Sequence, residues 1–229
     1  LEIGVQSTNE QTIREIRRTM RFEEVARIVQ RINQGENVHQ HLDLIAGLPY
    51  EDMESFQKSF DDVYRLHPEQ LQLGFLKVLK GSYMESQKER YGLVYKSRPP
   101  YEVLYTKWLS YEEMMQLKSV EEMVEVYYNS RQFSYCLRKL EEEYASPFVL
   151  YQGLGRYYEN HELHLMSHSR ITRYEILLGF IREKHKERES LCRELLTFDL
   201  YLRENVKNRP EFAGEHEVSK DWLNAFYET

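Results

Sequence analysis

Gln40-His41-Leu42-Asp43-Leu44-Ile45-Ala46-Gly47-Leu48-Pro49 is an apolar run with one aspartate inside it, closed by Gly-Leu-Pro and followed at once by Glu51 and Asp52. That order reads as strand, tight turn, helix start. It places a carboxylate and a glycine towards the carboxyl end of a strand, where α/β folds bind their ligands. Two similar runs flank it, Leu1-Glu2-Ile3-Gly4-Val5-Gln6-Ser7 before and Leu71-Gln72-Leu73-Gly74-Phe75-Leu76-Lys77-Val78-Leu79 after. Three strands with helices between them predict a βαβαβ unit.

Between the strands, Asn9 is placed to cap a helix running to about Gly35, with Ile13, Ile16, Met20, Val25, Ile28 and Ile32 at helical spacing. A second helix, from about Asp52 to Leu66, turns Met53, Phe56, Phe60 and Val63 inward and stops at His67-Pro68. From Lys80 the character changes. A polar stretch leads to Pro99-Pro100, with short β-prone pieces at Leu93–Lys96 and Val103–Trp108. Ser110 and Glu113 then form a capping-box pattern, and Ser146-Pro147 reads as a cap followed by a first-turn proline. Helices are expected over about 111–129, 131–145, 147–160, 169–185, 187–205 and 219–227. The domain organisation that follows is an α/β part over 1–82, a connecting segment over 83–109 and a helical part over 110–229.

Bulk properties bound the function. The 229 residues are 41% hydrophobic and 30% charged, enough for one large domain or two small ones with ample core. No apolar run approaches the roughly 20 residues that span a bilayer, and the first seven residues resemble a buried strand rather than a secretion signal. A start in mid-strand without methionine reads as an excised fragment whose amino-terminal part is missing. The net charge of −7 gives no pull towards nucleic acid or anionic membrane. Two cysteines, Cys136 and Cys192, are far apart in helical patterns; they suggest neither a disulfide framework nor a metal knuckle, and point to the cytoplasm. The 18 tyrosines crowd between Tyr83 and Tyr158 and suit packing between helices.

Candidate chemistry centres on Asp43. In a strand read as buried on both faces, its carboxylate costs several kcal/mol unless it is paired or bonded to a ligand hydroxyl. It either contacts a ligand or caps a nearby backbone turn. Gly47 would let backbone approach a substrate closely. Gln6 and Ser7 end the preceding strand and should neighbour Asp43, or else form the turn. Arg17 and Arg18 could reach back to a carboxylate or phosphate, or lie in solvent. Lys77 and Lys80 bracket the end of the third strand. His39 and His41 alternate like strand residues but lack a third ligand; His161, His164 and His168 read as surface residues. No Gly-rich phosphate loop, nucleophile elbow, zinc-protease pair or kinase signature is present.

Gly4-Val5-Gln6-Ser7 with Asn9 and Arg18, followed by Asp43-Leu44-Ile45-Ala46-Gly47-Leu48-Pro49, resembles the fourth and fifth strands of radical S-adenosylmethionine enzymes. The resemblance is to the branch shared by oxygen-independent coproporphyrinogen oxidases and cobalamin-dependent radical enzymes. Gln72 to Gly81 is similar to the sixth strand of the cobalamin-associated subgroup. Looser likeness continues through Pro99-Pro100-Tyr101-Glu102 and Tyr127-Tyr128-Asn129-Ser130 to Phe198-Asp199-Leu200 and Lys207-Asn208-Arg209-Pro210, as in a carboxyl-terminal helical domain of unassigned function.

The resemblance implies half of a partial (β/α)6 TIM-like barrel followed by a mainly helical domain. It implies that Gln6 and Ser7 lie along the nucleoside and ribose of S-adenosylmethionine, that Arg18 meets its carboxylate, and that Asp43 meets its ribose hydroxyls. Ile45 and Gly47 belong to the strand that contacts adenine. The implied cofactors are S-adenosylmethionine, a 4Fe-4S cluster and, in that subgroup, cobalamin. The Cys-x3-Cys-x2-Cys loop that holds the cluster is absent from this chain. It is expected in the missing amino-terminal region, so the intact parent would be the oxidoreductase, acting on an unknown substrate, and this chain alone would be inactive. No catalytic residue or metal ligand is assigned here. The alternative is a non-catalytic interaction or substrate-docking helical module on a βαβ scaffold. Under either reading the exposed edge of the first strand invites pairing, including a homodimer.

Overall fold

The computed structural model describes residues 1–35, 37–204 and 208–214. The three expected strands are β1 (Glu2–Gln6), β2 (His41–Ala46) and β3 (Gln70–Phe75), and they form one parallel sheet in the order β1-β2-β3. Successive residues of a strand point to opposite faces, and here the two faces differ in chemistry. The rows through Val5, Leu42, Leu44, Ala46, Leu71 and Leu73 are buried. The opposite face carries the cross-strand rows Glu2–His41–Gln70 and Gly4–Asp43–Gln72, then Ile45 beside Gly74, all half-buried or exposed.

Burial on both faces of β2, expected from its composition, is therefore not found: the strand alternates half-buried and buried residues. One face is buried throughout β2, and the other is half-buried. The half-buried face carries polar side chains that could not be packed beneath a helix without partners.

The expected helix from Asn9 to Gly35 is two helices, α1 (Glu10–Glu15) and α2 (Phe22–Asn33). Asn9 does cap the first, its Oδ1 accepting from the backbone N–H of Gln11 at 2.9 Å. The break comes where Arg17 turns left-handed at φ 58° and the N–H of Arg18 returns to the Ile13 carbonyl. Helix α3 (Met53–Tyr64) is capped by Asp52 on the Ser55 N–H and buries Phe56, Phe60 and Val63.

After β3 the chain forms two short helices, α4 (Tyr83–Ser86) and α5 (Lys88–Tyr91), and an antiparallel pair, β4 (Val94–Tyr95) and β5 (Val103–Tyr105). Helix α6 (Tyr111–Met123) begins on the expected Ser110–Glu113 capping box and continues as a π-helical turn, Val124–Asn129. The remaining helices are α7 (Ser134–Glu141), α8 (Pro147–Asn160), α9 (Arg170–Lys184) and α10 (Glu189–Arg203). The helix expected over 219–227 lies outside the described residues. Among the described residues no helix is long and apolar enough to cross a membrane.

The chain forms two compact units. The first comprises Leu1–Arg131 with Glu141–His164; the second comprises Gln132–Leu140 with the chain from Leu165 onward. In the first, α8 packs on α6 and α3. Its amino terminus is capped from a distance, since Asp61 of α3, and not a Ser146 side chain, accepts the Phe148 N–H at 3.0 Å. In the second, α9 and α10 pack together, and Tyr174 lies between Phe133 and Phe212 with ring centroids 4.5 and 5.5 Å away.

The outer edge of β3 is closed by the chain's own later segments. The Leu71 N–H donates to Asn129 Oδ1 at 3.0 Å, and Asn129 Nδ2 donates to the Leu71 carbonyl at 3.0 Å. One amide side chain thus replaces a neighbouring strand. Past the strand's end, Val103 N–H reaches the Leu76 carbonyl and Val78 N–H the Tyr101 carbonyl, both at 2.9 Å. Replacing Asn129 with alanine strips Leu71 of both bonds, so Asn129→Ala is expected to cost about 1–3 kcal/mol in urea unfolding. An unchanged urea midpoint would show that the edge does not depend on this amide.

Candidate functional site

The site grows from the turn that follows β2. Gly47 adopts φ +88°, which favours glycine, and it is buried; an added Cβ would touch Met114, Val103 and Leu76 at 3.5–3.6 Å. Its backbone therefore faces packed side chains of this chain. Two residues past Pro49, Glu51 is wholly buried. Ser7 Oγ donates to Glu51 Oε1 at 2.5 Å and Ser59 Oγ donates to the same oxygen at 2.9 Å. The Asn9 N–H donates to Ser7 Oγ at 3.0 Å, Asn9 Nδ2 to the Tyr50 carbonyl at 2.9 Å, and Thr12 Oγ1 to the Pro49 carbonyl at 2.9 Å. These bonds tie the carboxyl ends of β1 and β2 to each other and to α3.

Burial pushes the Glu51 carboxyl up to about 7, although the hydroxyls of Ser7 and Ser59 favour its charged form. Its second oxygen has no partner among the described residues. In the sequence this residue reads as an ordinary acidic helix start. The overlooked signal was its place directly after Leu48-Pro49-Tyr50, where a turn still facing the core cannot put a long side chain into water.

The open face of the sheet lies beside this knot. Asp43 sits in the middle strand of that face, between Gly4 and Gln72. Both neighbours leave room: Gly4 has no side chain, and Gln72 is exposed. One Asp43 oxygen is buried and accepts no hydrogen bond from the described residues. Its carboxyl is raised, first by burial and then by Glu2, with His41 acting in the opposite sense. Arg18 reaches the same face from beyond α1, donating from Nη2 to the Gly4 carbonyl at 2.9 Å, with both terminal nitrogens 3.8 Å from where a Gly4 side chain would begin. Gln6 Nε2 stands 3.5 Å from that point. Gln6 has φ 69° and pairs with Leu44 after a register shift in β1. Ile45 lies one step further along β2, beside Gly74.

The structure thus gathers Gln6, Arg18, Asp43 and Ile45 on one half-open face. Ser7 and Gly47 lie underneath it, Ser7 engaged by Glu51 and Gly47 by its packed neighbours. The other candidates fall elsewhere. Arg17 stacks over Tyr83, 4.0 Å from the ring centroid. Lys77 bridges to Glu102 along the backbone, and Lys80 lies 5.7 Å from the Tyr101 ring. His39, His161 and His164 are exposed, while His41 is half-buried beside Asp43 on the open face.

Comparison with known proteins adds one finding. Residues 89–228, well over half of the chain, match the family described as "Protein of unknown function (DUF4080)". The chain belongs to the DUF4080 family. No curated protein matches it. The DUF4080 match covers the segment from α5 onward and leaves out the parallel sheet with its open face.

Glu51 gives the DUF4080 chain a definite pH signature. Between the ordinary carboxyl value of 4.5 and about 7, the folded state holds a proton that the unfolded chain has released. The stability this proton carries is complete below 4.5 and is lost as pH rises through 7. Over that window the unfolding free energy of the wild type should fall on the order of 3 kcal/mol further than that of Glu51→Gln. Parallel pH profiles of the two proteins in urea would show that Glu51 is ionised when folded.

Proposed function

We propose that this chain supplies the adenosyl-binding half of a radical S-adenosylmethionine enzyme, with the DUF4080 segment as its helical carboxyl-terminal part. The observation that carries the reading is Asp43: a half-buried carboxylate on the open face of a parallel sheet, one oxygen without a partner, between a residue with no side chain and one turned to solvent. A vicinal diol fits such an oxygen, because two hydroxyls can donate to one carboxylate.

The other groups on the face suit the rest of the molecule. The Arg18 guanidinium, held beside Gly4, is placed for a carboxylate. Ile45, flanked by Gly74, offers a flat apolar surface for an adenine ring. Gln6 projects towards the Gly4 gap and can bond the nucleoside. Ser7, Glu51 and Ser59 keep the ends of β1 and β2 in register beneath it, and Gly47 makes the turn.

In this reading the sheet is strands four to six of a partial (β/α)6 barrel. The outer edge of β1 has no strand partner among the described residues, which is where earlier strands would add, or where a second copy would pair in their absence. Bound S-adenosylmethionine and a reduced 4Fe-4S cluster together supply reductive carbon–sulfur cleavage and hydrogen abstraction from a substrate. This chain's part is to bind and orient the nucleoside. Its two cysteines cannot form the three-thiolate set a cluster needs, so cluster ligation falls to residues outside it. Cobalamin enters through the sequence resemblance alone.

The test uses the intact protein, reconstituted anaerobically with iron and sulfide and reduced with dithionite. It should release 5′-deoxyadenosine from S-adenosylmethionine. Asp43→Ala should weaken S-adenosylmethionine binding by about tenfold to a hundredfold, the loss of hydrogen bonds to a charged group, with its far-ultraviolet circular dichroism intact. Absence of the nucleoside from a cluster-loaded preparation, or wild-type affinity in Asp43→Ala, overturns the reading.

A further inference from the structure

The second compact unit brings together two residues that the sequence keeps far apart. Cys136 lies in the first turn of α7 and Cys192 in the first turn of α10. Both side chains are buried, and the two thiols lie within hydrogen-bonding reach of each other. The adenosyl-binding face uses neither.

Their meeting is held in place by a second contact between the same helices. Asp199 follows Cys192 by seven residues, two turns on along the same side of α10. Its carboxylate accepts the backbone N–H of Tyr135 at 3.1 Å and that of Cys136 at 3.0 Å. The α10 carboxylate therefore caps the start of α7 and fixes the residue that bears the thiol. Next to it the rings of Tyr135 and Phe198 meet edge to face at 5.0 Å.

This cap also decides the chemistry of the pair. A cysteine in the first helical turn is ordinarily acidified by the free amides there. Here Asp199 occupies those amides. The Cys192 sulfur, burial and the Asp199 charge all push the Cys136 thiol well above its ordinary value. Oxidation to a disulfide leaves no charge in the core.

We propose that Cys136 and Cys192 form a reversible dithiol–disulfide site that links α7 to α10, closed by a small two-electron oxidant such as a peroxide. Two thiols and one hydrogen peroxide give one disulfide and two waters. The first sulfur attacks the peroxide, the O–O bond breaks, and a sulfenic acid forms with loss of water. The second sulfur then displaces the sulfenic oxygen, which leaves as water with the second thiol proton. Both sulfurs are oxidised and both peroxide oxygens are reduced. The bond closes the long loop between residues 136 and 192, so it restricts the unfolded chain more than the folded one.

The experiment treats the intact protein with diamide, which accepts the same two electrons, then alkylates remaining thiols in denaturant and maps the peptides by mass spectrometry. The peptides carrying Cys136 and Cys192 should appear as one linked species from monomeric protein, two hydrogens lighter than the separate pair, and dithiothreitol should part them. The oxidised protein should unfold at a temperature higher by about 4 °C or more, and neither Cys136→Ser nor Cys192→Ser should show that diamide-dependent shift. Full alkylation of both cysteines after diamide, linkage only between molecules, or an equal shift in the serine variants overturns the proposal. If the variants do not fold, the wild-type peptide map decides it.

Discussion

A single buried carboxyl holds the carboxyl end of the sheet together. Glu51 receives Ser7 from the end of β1 and Ser59 from α3 on one oxygen, so the strand end, the loop after the next strand and the following helix meet at one point. Parallel strands have no hairpin to set their mutual register, and long crossovers leave it to be fixed elsewhere. Here it is fixed by hydrogen bonds at the carboxyl ends, reinforced by Asn9 on the Tyr50 carbonyl and Thr12 on the Pro49 carbonyl. Unless these hold, Gln6 and Arg18 have no defined position relative to Asp43.

The sheet is finished on one side and open on the other. Along β3, Asn129 replaces a strand at Leu71, and residues 101–103 pair with the continuation past Phe75. An edge covered in this way presents no ladder to another chain. β1 has no such cover among the described residues. The π-helical turn Val124–Asn129 fits the same logic: the wider turn ends with Asn129 at the edge it caps, a local irregularity with a specific task.

Much of the α/β part was legible because its signals are local. Apolar runs closed by turn residues located all three strands, and Asn9 and Ser110 were visible caps. What escaped was decided by residues far apart in the chain. The break at Arg17 depends on a left-handed residue that no glycine announces. Asp61 and Asp199 cap α8 and α7 from helices remote in sequence, so no pattern next to either helix start reveals them. The half-open face of β2 was misread because Leu42, Leu44 and Ile45 looked like burial on both sides, whereas one half-buried row holds Ile45 together with His41 and Asp43. Of the candidate site, Asp43, Arg18 and Gln6 were read in the residues, while Glu51 was missed because its role lies in a tertiary knot.

Five carboxyls among the described residues, Asp43, Glu51, Asp61, Glu121 and Asp199, are raised first by burial, and their surroundings differ. Asp61 accepts the Phe148 amide and the Ser146 hydroxyl; Asp199 accepts two amides of α7; Glu51 accepts two serine hydroxyls. Each of these three accepts donors that offset part of its desolvation, although Glu51 Oε2 has no partner among the described residues. Asp43 Oδ1 likewise has no partner among the described residues; burial and the Glu2 charge both act against the ionised form, and the His41 charge favours it. An unpartnered buried carboxylate oxygen is costly, and an apolar residue like Leu42 or Leu44 at position 43 would avoid that cost. Asp43 differs from Glu51 in its place, mid-strand on the half-open face, where the proposed nucleoside would bring its donors.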